Sequence, residues 1–382
     1  MFTKTIKLFT MFGFEVKVDL SWLVILVLVV WSLSAAVLPQ QVPGLSSSTY
    51  LLMGLLGALG LFMSIVFHEL CHSLVARLYG LQMKGITLFI FGGVAEMAEE
   101  PPSPKAEFMM AVAGPASSVV LGAAAVGVSI LTARADWPVP VTGLLRWLGV
   151  INLYLAAFNM IPGFPLDGGR VLRSMLWQWK NNLRKATEIA SKIGLFFGAL
   201  LIVLGFLSII MTHTLGGMWY ILIGMFLRNA ARQGYQGVIV KQALSGEKVR
   251  RFMTSDVVAV PRELTIKQLV DEYIYKYHFK MFPVMDGDML AGCVSTRQVK
   301  DVPHSEWSEW TVGDVASECS TENVISPDED AMKALVRMNA TKTSRLMVVD
   351  GNRLVGVLSL KDLLRFLALK MELEGDEAGE AQ

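Results

Sequence analysis

The sequence predicts a polytopic α-helical membrane protein, with six transmembrane helices and a short β element, followed by a C-terminal α/β domain. The 382 residues are 53% hydrophobic and only 18% charged, and their mean hydropathy of +0.49 is too apolar for an ordinary soluble protein. Apolar runs of about 20 residues, long enough to cross a bilayer as helices, recur through the first part of the chain. From about residue 234 onward charges are scattered and the sequence repeats itself, which predicts soluble modules.

Charge and cysteine content exclude two classes of protein. The net charge is +1 and no basic face with interleaved aromatic residues is visible, so no nucleic-acid partner is expected. Cys71, Cys293 and Cys319 are too widely spaced for a zinc knuckle or a disulfide framework. The N-terminus lacks a short apolar core followed by a small-residue cleavage site, so no removable signal peptide is expected.

Six apolar segments are predicted to span the membrane. They are residues 20–38, 50–79, 108–131, 141–161, 193–211 and 216–227. The third is rich in small residues, which let membrane helices approach closely, and the sixth is short. Before the first span, residues 3–18 alternate in part between apolar and polar side chains, which predicts an amphipathic hairpin at the membrane surface, with an irregular lead-in as the alternative.

A β-branched and aromatic run, residues 85–95, lies between the second and third spans. It is too short for a membrane helix and Gly92-Gly93 interrupts it, so we expect a strand or hairpin near the polar motif of the second span. An open edge there could pair with an extended peptide; a plain loop or helix end is the alternative. Residues 96–107 are predicted as a polar connector.

Basic residues concentrate on one side of this six-span arrangement. The opposite loops carry only Arg134 and Arg146 as basic residues. The positive-inside rule therefore places both the N- and the C-terminus in the cytoplasm, in a multi-pass protein of the cell (plasma) membrane. The basic side holds Lys4, Lys7, Lys17, Arg77, Lys84, Arg170, Arg173, Lys180, Arg184, Lys185, Arg228 and Arg232.

The second span contains the motif His68-Glu69-Leu70-Cys71-His72 in its last third. On a helix, His68 and His72 are at i and i+4, so both imidazoles share one face and can chelate a single Zn²⁺ ion. Glu69 projects nearby and is suited to accept a proton. The alternative is a pair of interfacial histidines with a snorkelling glutamate. The uncharged run before the motif disfavours it, because ionisable groups at membrane depth are costly unless they serve a function.

Asp167 is the best candidate for a third metal ligand, since a catalytic zinc normally takes three protein ligands. It follows the fourth span in a segment so rich in proline and glycine that a helix cannot continue. Irregular backbone at membrane depth persists only where protein or a water-filled cavity covers it. Turn chemistry alone favours the alternative, an aspartate that merely stabilises a turn. Depth and pairing with the two histidines separate the two interpretations.

Together these motifs resemble the site-2 protease family of intramembrane zinc metalloproteases. The resemblance rests on the histidine motif, on the run from Asn159 to Gly168, and on the order of the six spans. It implies that His68, His72 and Asp167 hold one zinc ion per chain. It also implies that Glu69 is the catalytic base, that Asn159 holds substrate or the oxyanion, and that the lipid-embedded enzyme cleaves a transmembrane segment of a membrane-anchored regulatory protein.

The alternative function is a membrane transporter of a metal or another solute, gated by the soluble domains. Transport would predict ionisable residues along several spans and an inverted repeat among them. The sequence shows neither feature. Regulated intramembrane proteolysis is therefore the preferred interpretation.

The soluble half contains an internal repeat with an offset of about 64 residues, right for two α/β modules. Asp286-Gly287 and Gly292-Cys-Val-Ser295 recur as Asp350-Gly351 and Gly356-Val-Leu-Ser359. These segments resemble a tandem pair of CBS (cystathionine-β-synthase) domains, a regulatory module that often binds adenine nucleotides.

The CBS resemblance implies a possible site for ATP, ADP or AMP. In the nucleotide-binding pattern of CBS domains, the Ser359 hydroxyl would bind phosphate and Asp362 would bind ribose. Ser295 is at the equivalent place in the first copy. Gln298 stands where that copy should carry the acid, so at most one well-formed site is expected. A purely structural module, or one that forms a homodimer, is the alternative.

The expected organisation follows from these assignments. We expect a transmembrane metalloprotease domain at residues 1–233, a linker at 234–248, CBS domains at 249–305 and 306–370, and an acidic tail at 371–382.

Overall fold

The structure, a computed structural model, describes residues 5–81, 83–90, 92–97, 100–212, 216–287, 289–320, 322–351 and 353–375. It divides into two compact units, Met1–Val238 and Ile239–Gln382. Within the predicted acidic tail, residues 371–375 complete the last helix and residues 376–382 lie outside the described residues.

The first unit is built on long apolar helices. Five of those that the structure describes, α1, α2, α3, α4 and α6, are long and apolar enough to cross a membrane. The predicted sixth span falls at the start of α7, which continues as helix into the predicted linker and ends at Leu244. The count of six spans therefore stays a prediction. The helices are α1 Ser21–Gln41, α2 Ser47–Leu78, α3 Pro104–Arg134, α4 Val139–Asn159, α5 Asp167–Lys180, α6 Leu183–Thr212 and α7 Gly217–Leu244.

Two hairpins combine into one four-stranded sheet in the order β1-β2-β3-β4. The strands are β1 Thr5–Met11, β2 Phe14–Asp19, β3 Met83–Phe89 and β4 Gly92–Met97. Strand β2 pairs in parallel with β3, so β3 is enclosed and β4 forms an edge. The run predicted as one strand or hairpin with an open edge is thus a hairpin, and its open edge belongs to β4 alone.

The sheet packs against the helix that carries the histidine motif. Val16 and Leu88 contact Val66, and Ile86 packs with Leu70, so sheet contacts lie on both sides of the motif's first residues. Further along α2, the guanidinium of Arg77 donates to the Phe12 carbonyl over 2.7 Å. Apolar burial and this hydrogen bond together fix the sheet beside the motif.

Glycines let α6 and α7 pack backbone against backbone. A Cβ added at Gly224 would lie 2.5 Å from the Gly198 carbonyl oxygen, and one at Gly217 would lie 2.4 Å from that of Gly205. The four glycines repeat every seventh residue on each helix, so they form one continuous contact between antiparallel neighbours. Such small-residue seams are how membrane helices approach closely without a hydrophobic driving force.

The second unit contains two α/β copies. The first comprises β5 Val260–Pro261, α8 (residues 266–277), β6 Met281–Asp286, β7 Met289–Ser295, α9 Thr296–Asp301, α10 Val312–Val315 and β8 Ser317–Glu318. The second comprises β9 Val324–Ile325, α11 Ala331–Thr341, β10 Arg345–Asp350, β11 Arg353–Ser359 and α12 Leu360–Gly375. The sheets run in the orders β5-β6-β7-β8 and β11-β10-β9.

The repeat seen in the sequence is also a repeat of backbone detail. The register shift between Val284 and Met285 recurs between Val348 and Val349. Gly287 and Gly351, each at the turn after the central strand, both adopt positive φ, which glycine tolerates without strain. The two copies therefore share their turn and bulge geometry as well as their strand order.

The glycine seam gives a testable prediction about stability. Gly224→Ala places a methyl group against the α6 backbone and must push α6 and α7 apart. Overpacking of this kind costs about 1–3 kcal/mol, so the thermal unfolding midpoint in detergent should fall by several degrees. Gly127→Ala is the matched control, because a Cβ at Gly127 on α3 meets nothing within 4 Å. Equal midpoints for the two variants would contradict the proposed seam.

Candidate metal centre

Helix α2 sets the first two polar groups of the site. Its N-terminus is capped by Ser46, whose hydroxyl accepts from the Thr49 amide over 3.2 Å. From there the helix runs unbroken to Leu78, so His68 and His72 are one turn apart with ring centroids 4.8 Å from each other. His68 is buried and His72 is nearly so. Both rings therefore point into the protein rather than towards lipid.

Asp167 reaches the same point from a distant part of the chain. It is the first residue of α5, and the preceding turns are held by backbone bonds from Phe164 to Ala190 and from Leu166 to Gly163. Its Oδ2 atom lies 3.0 Å from His68 Nε2 and 3.2 Å from His72 Nε2. The two Nε2 atoms are 3.1 Å apart. Three donor atoms thus form a nearly equilateral triangle.

The other ring nitrogens are held by α3. His72 Nδ1 lies 2.6 Å from the Met110 carbonyl oxygen, which can only accept, so Nδ1 carries the proton and Nε2 presents its lone pair to the triangle. His68 Nδ1 lies 2.9 Å from the Ser118 hydroxyl. Outer hydrogen bonds of this kind orient histidine ligands in metal sites. Two imidazole nitrogens and a carboxylate oxygen, so oriented, fit a catalytic zinc ion with three protein ligands.

Gly114 provides the space in which the donors meet. A Cβ there would lie 2.2 Å from His72 Nε2 and 2.5 Å from His68 Nε2, so any side chain would collide with the site. Met110, Gly114 and Ser118 follow one another at four-residue intervals on one face of α3. The sequence analysis predicted only close helix packing for the third span. The four-residue interval was the signal that could have related one face of it to the histidines.

Glu69 opens onto a cavity of about 660 Å³ within the first unit. The cavity is lined mostly by apolar side chains of α1, α2, α4 and α7, and also by His68, Glu69 and Asn159. Gly93 of β4 forms part of the wall and lies against Glu69, since a Cβ on Gly93 would be 2.8 Å from Glu69 Cγ. The predicted base, one predicted ligand and the edge strand therefore meet around one space.

Asn159 lies in that wall, but its amide is engaged elsewhere. Its Nδ2 donates to the Leu155 carbonyl of its own helix over 3.0 Å. The structure thus brings His68, His72 and Asp167 into contact and sets Glu69 beside them. Asn159 lines the same cavity, but its amide is bonded to its own helix, α4.

The predicted nucleotide residues lie at the N-termini of two helices in the second unit. Ser359 Oγ donates to Asp362 Oδ2, and Asp362 N returns a bond to Ser359 Oγ over 3.2 Å. Ser295 Oγ donates to Gln298 Oε1 over 2.7 Å. These residues are not among the described residues that line the unit's cavity of about 970 Å³.

The two copies differ in how much of the pattern is already occupied. The Gln298 amide nitrogen also donates to the Val315 carbonyl and the Ser317 hydroxyl, both over 2.8 Å. In the second copy, burial lowers the pKa of Arg345, and the charge of Asp362 partly offsets that effect.

The chain is similar to known proteins along nearly its whole length. The Peptidase family M50 model matches residues 56–141 and 128–201, and the CBS domain model matches residues 249–305 and 312–369. Rip3 of Mycobacterium tuberculosis is 35% identical over 357 residues, covering 93% of this chain and 91% of Rip3. MJ0392 of Methanocaldococcus jannaschii is 30% identical over 375 residues, covering 97% of this chain and 99% of that protein. Both names include the term zinc metalloprotease.

A solved site-2 protease from Methanocaldococcus jannaschii is 30% identical and covers 61% of this chain and 95% of its own, with a TM-score of 0.44. The matches along nearly the whole chain confirm the family predicted from the histidine motif and the soluble repeat. The chain therefore belongs to Peptidase family M50, and it is an intramembrane zinc metalloprotease of the site-2 type with tandem CBS domains.

Proposed function

We propose that the protein cleaves the transmembrane segment of a membrane-anchored regulatory protein, with one zinc ion held by His68, His72 and Asp167. The observation that carries this assignment is the convergence of their three donor atoms at separations of 3.0–3.2 Å. Because Asp167 is remote in sequence from the histidines, chance turn chemistry does not explain that meeting. The proton position on His72 and the void at Gly114 support it independently.

The proposed mechanism gives each nearby residue one task. When bound, zinc supplies Lewis acidity and lowers the pKa of water towards about 7. The Glu69 carboxylate accepts the proton of the attacking water and returns it to the leaving amine. Asn159 donates from its amide to the oxyanion that develops on the scissile carbonyl. For this it turns its Nδ2 away from the Leu155 carbonyl and into the cavity.

Substrate capture is assigned to the edge of β4. A helix in hydrocarbon hides its peptide groups in its own hydrogen bonds, so the substrate must unwind locally before cleavage. The open edge of β4 offers replacement backbone partners by strand addition. Gly92 and Gly93 place that strand at the cavity wall with Glu69, and the apolar remainder of the wall suits aliphatic and aromatic side chains flanking the scissile bond.

We assign the enzyme to the plasma membrane with both termini in the cytoplasm. Basic residues lie at Arg77 in the last turn of α2, along α5 and at the start of α6, and in the middle of α7, in keeping with the positive-inside rule. Asp167 then lies near the cytoplasmic face, which gives water a short route to the site.

The CBS pair is assigned a regulatory role through one adenine nucleotide site in the second copy. We also assign homodimerisation to this module. Ser359 and Asp362 have the pattern for phosphate and ribose, and their side chains are hydrogen-bonded to each other. In the first copy the Gln298 amide is already bonded at both ends, which favours a structural role for Ser295. A nucleotide controls cleavage only if it prefers one arrangement of the protein over another.

Zinc content tests the ligand assignment. Detergent-purified protein should contain about one zinc per chain, and His68→Ala and Asp167→Ala should each lose most of it, because two ligands hold a catalytic zinc poorly. Elemental analysis of the dialysed proteins measures this. The control is Asp136→Ala, which removes a carboxylate from the loop between α3 and α4. Zinc retained by Asp167→Ala would place the third ligand elsewhere.

Glu69→Gln tests the catalytic base. The change preserves shape but removes the proton acceptor, so cleavage of a co-expressed membrane-anchored substrate should fall by about 10²–10⁴-fold with zinc content unchanged. Glu188→Gln, half-exposed on α6 and paired with Lys192, is the control and should cleave normally. Unchanged cleavage by Glu69→Gln would exclude it as the base.

Calorimetric titration of the full-length protein with AMP, ADP and ATP tests the nucleotide site. We expect binding that Asp362→Ala abolishes and Gln298→Ala leaves intact, because only the second copy carries the ribose-binding acid. Binding by the Asp362→Ala variant would contradict the assignment to the second copy.

A further inference from the structure

A buried ion pair joins α3 to α5 close to the proposed zinc site. The guanidinium of Arg173 donates from Nε to Glu107 Oε1, and both side chains are almost completely buried, at 3% and 1% exposure. A second arm of the guanidinium reaches Glu100 Oε2 over 3.1 Å. Neither charge takes part in the proposed mechanism. Burying two charged groups is costly even when they are paired, so this pair calls for an explanation.

The pair continues the face of α3 that orients the histidines. Glu107, Met110, Gly114 and Ser118 follow at intervals of three or four residues, so they lie along one side of the helix. Met110 and Ser118 hold the two imidazoles, and Gly114 leaves room for their Nε2 atoms. Glu107 extends the same row by one turn and reaches the helix that begins with Asp167.

Arg173 also contacts the segment that precedes Asp167. Its guanidinium carbon lies 5.1 Å from the centre of the Phe164 ring, within the range of a cation–π contact. Between Phe164 and Arg173, Gly168 and Gly169 press against the backbone of residues 160–164, where a Cβ would come within 2.3–2.4 Å of backbone atoms. The Arg173 side chain therefore contacts the segment before Asp167 and belongs to the helix after it, and its ion pair links both to α3.

Stability alone is a poor explanation for this pair. A buried ion pair usually gains little over apolar residues of similar volume, because desolvation offsets the Coulombic attraction. Here Glu107 Oε2 has no hydrogen-bond partner in the described structure, so the carboxylate is not fully compensated. The pair instead fixes orientation, because the planar guanidinium holds the Glu107 carboxylate and the Phe164 ring in one geometry.

We propose that the Glu107–Arg173 ion pair positions Asp167 against His68 and His72, and thereby sets the affinity of the site for zinc. The inference rests on the assignment of these three residues as ligands. Glu107 and Arg173 are positioning residues: they touch neither metal nor substrate, and they act through the place of α5 relative to α3.

The test is zinc affinity of the full-length, detergent-purified protein, measured by competition with a chromogenic chelator. The E107M/R173M variant replaces the pair by apolar side chains of similar size, and Arg173→Lys keeps the charge but loses the fork. Both should bind zinc more weakly, by roughly tenfold or more, as outer-shell changes at metal sites do. Asn152→Leu is the control, because it removes a buried polar contact from α4 to Ser64 on α2 and does not reach α5.

The outcomes separate the possibilities. Weaker zinc binding in both Arg173 variants, with Asn152→Leu near wild type at a comparable melting temperature, supports the proposal. Zinc affinity within about twofold of wild type in Arg173→Lys and E107M/R173M overturns it, and so does an equal loss in Asn152→Leu. Arg173→Lys decides if the double variant does not fold. Full zinc retention by His68→Ala would instead show that the ligand assignment is wrong.

Discussion

The arrangement depends on how closely α3 approaches α2. At Gly114 the α3 backbone is so near the two imidazoles that no side chain fits between them. The same approach brings the Met110 carbonyl and the Ser118 hydroxyl within hydrogen-bond distance of the two Nδ1 atoms. In hydrocarbon, apolar contact between helices gains little over contact with lipid, so a small-residue face and a few directed hydrogen bonds decide where helices settle. Here those features also decide where the imidazoles point.

Local patterns in the sequence were sufficient for parts of the site and the fold. The i, i+4 spacing of His68 and His72 determines their common face once α2 is helical, and the proline- and glycine-rich turn before Asp167 marks where backbone must be irregular. The two-copy α/β domain was equally predictable from the sequence, because its turn glycines recur at a constant offset. These features depend on neighbours in sequence, or on a repeat that compares the chain with itself.

Features that join distant segments could not be predicted in the same way. The parallel pairing of Val16 with Ile86 merges two hairpins separated by the whole of α1 and α2, and nothing in either hairpin specifies the other. Glu107 was predicted to lie in a polar connector, whereas α3 already begins at Pro104 and buries it. A charged residue is expected in water unless its partner is known, and that partner, Arg173, was counted among the basic residues of the cytoplasmic side.

The two soluble copies differ in the side chain that follows the serine at equivalent helix starts. Each closes the start of a helix with the same reciprocal serine motif. Gln298 also donates from its amide nitrogen to Val315 and Ser317 of its own copy, whereas the Asp362 carboxylate can only accept. The first copy therefore has a neutral amide at this helix start, where the second copy has a carboxylate. Two copies that share their register shift and turn glycine thus differ in the charge at equivalent helix starts. A duplicated fold can in this way keep one backbone pattern while its two halves diverge in charge.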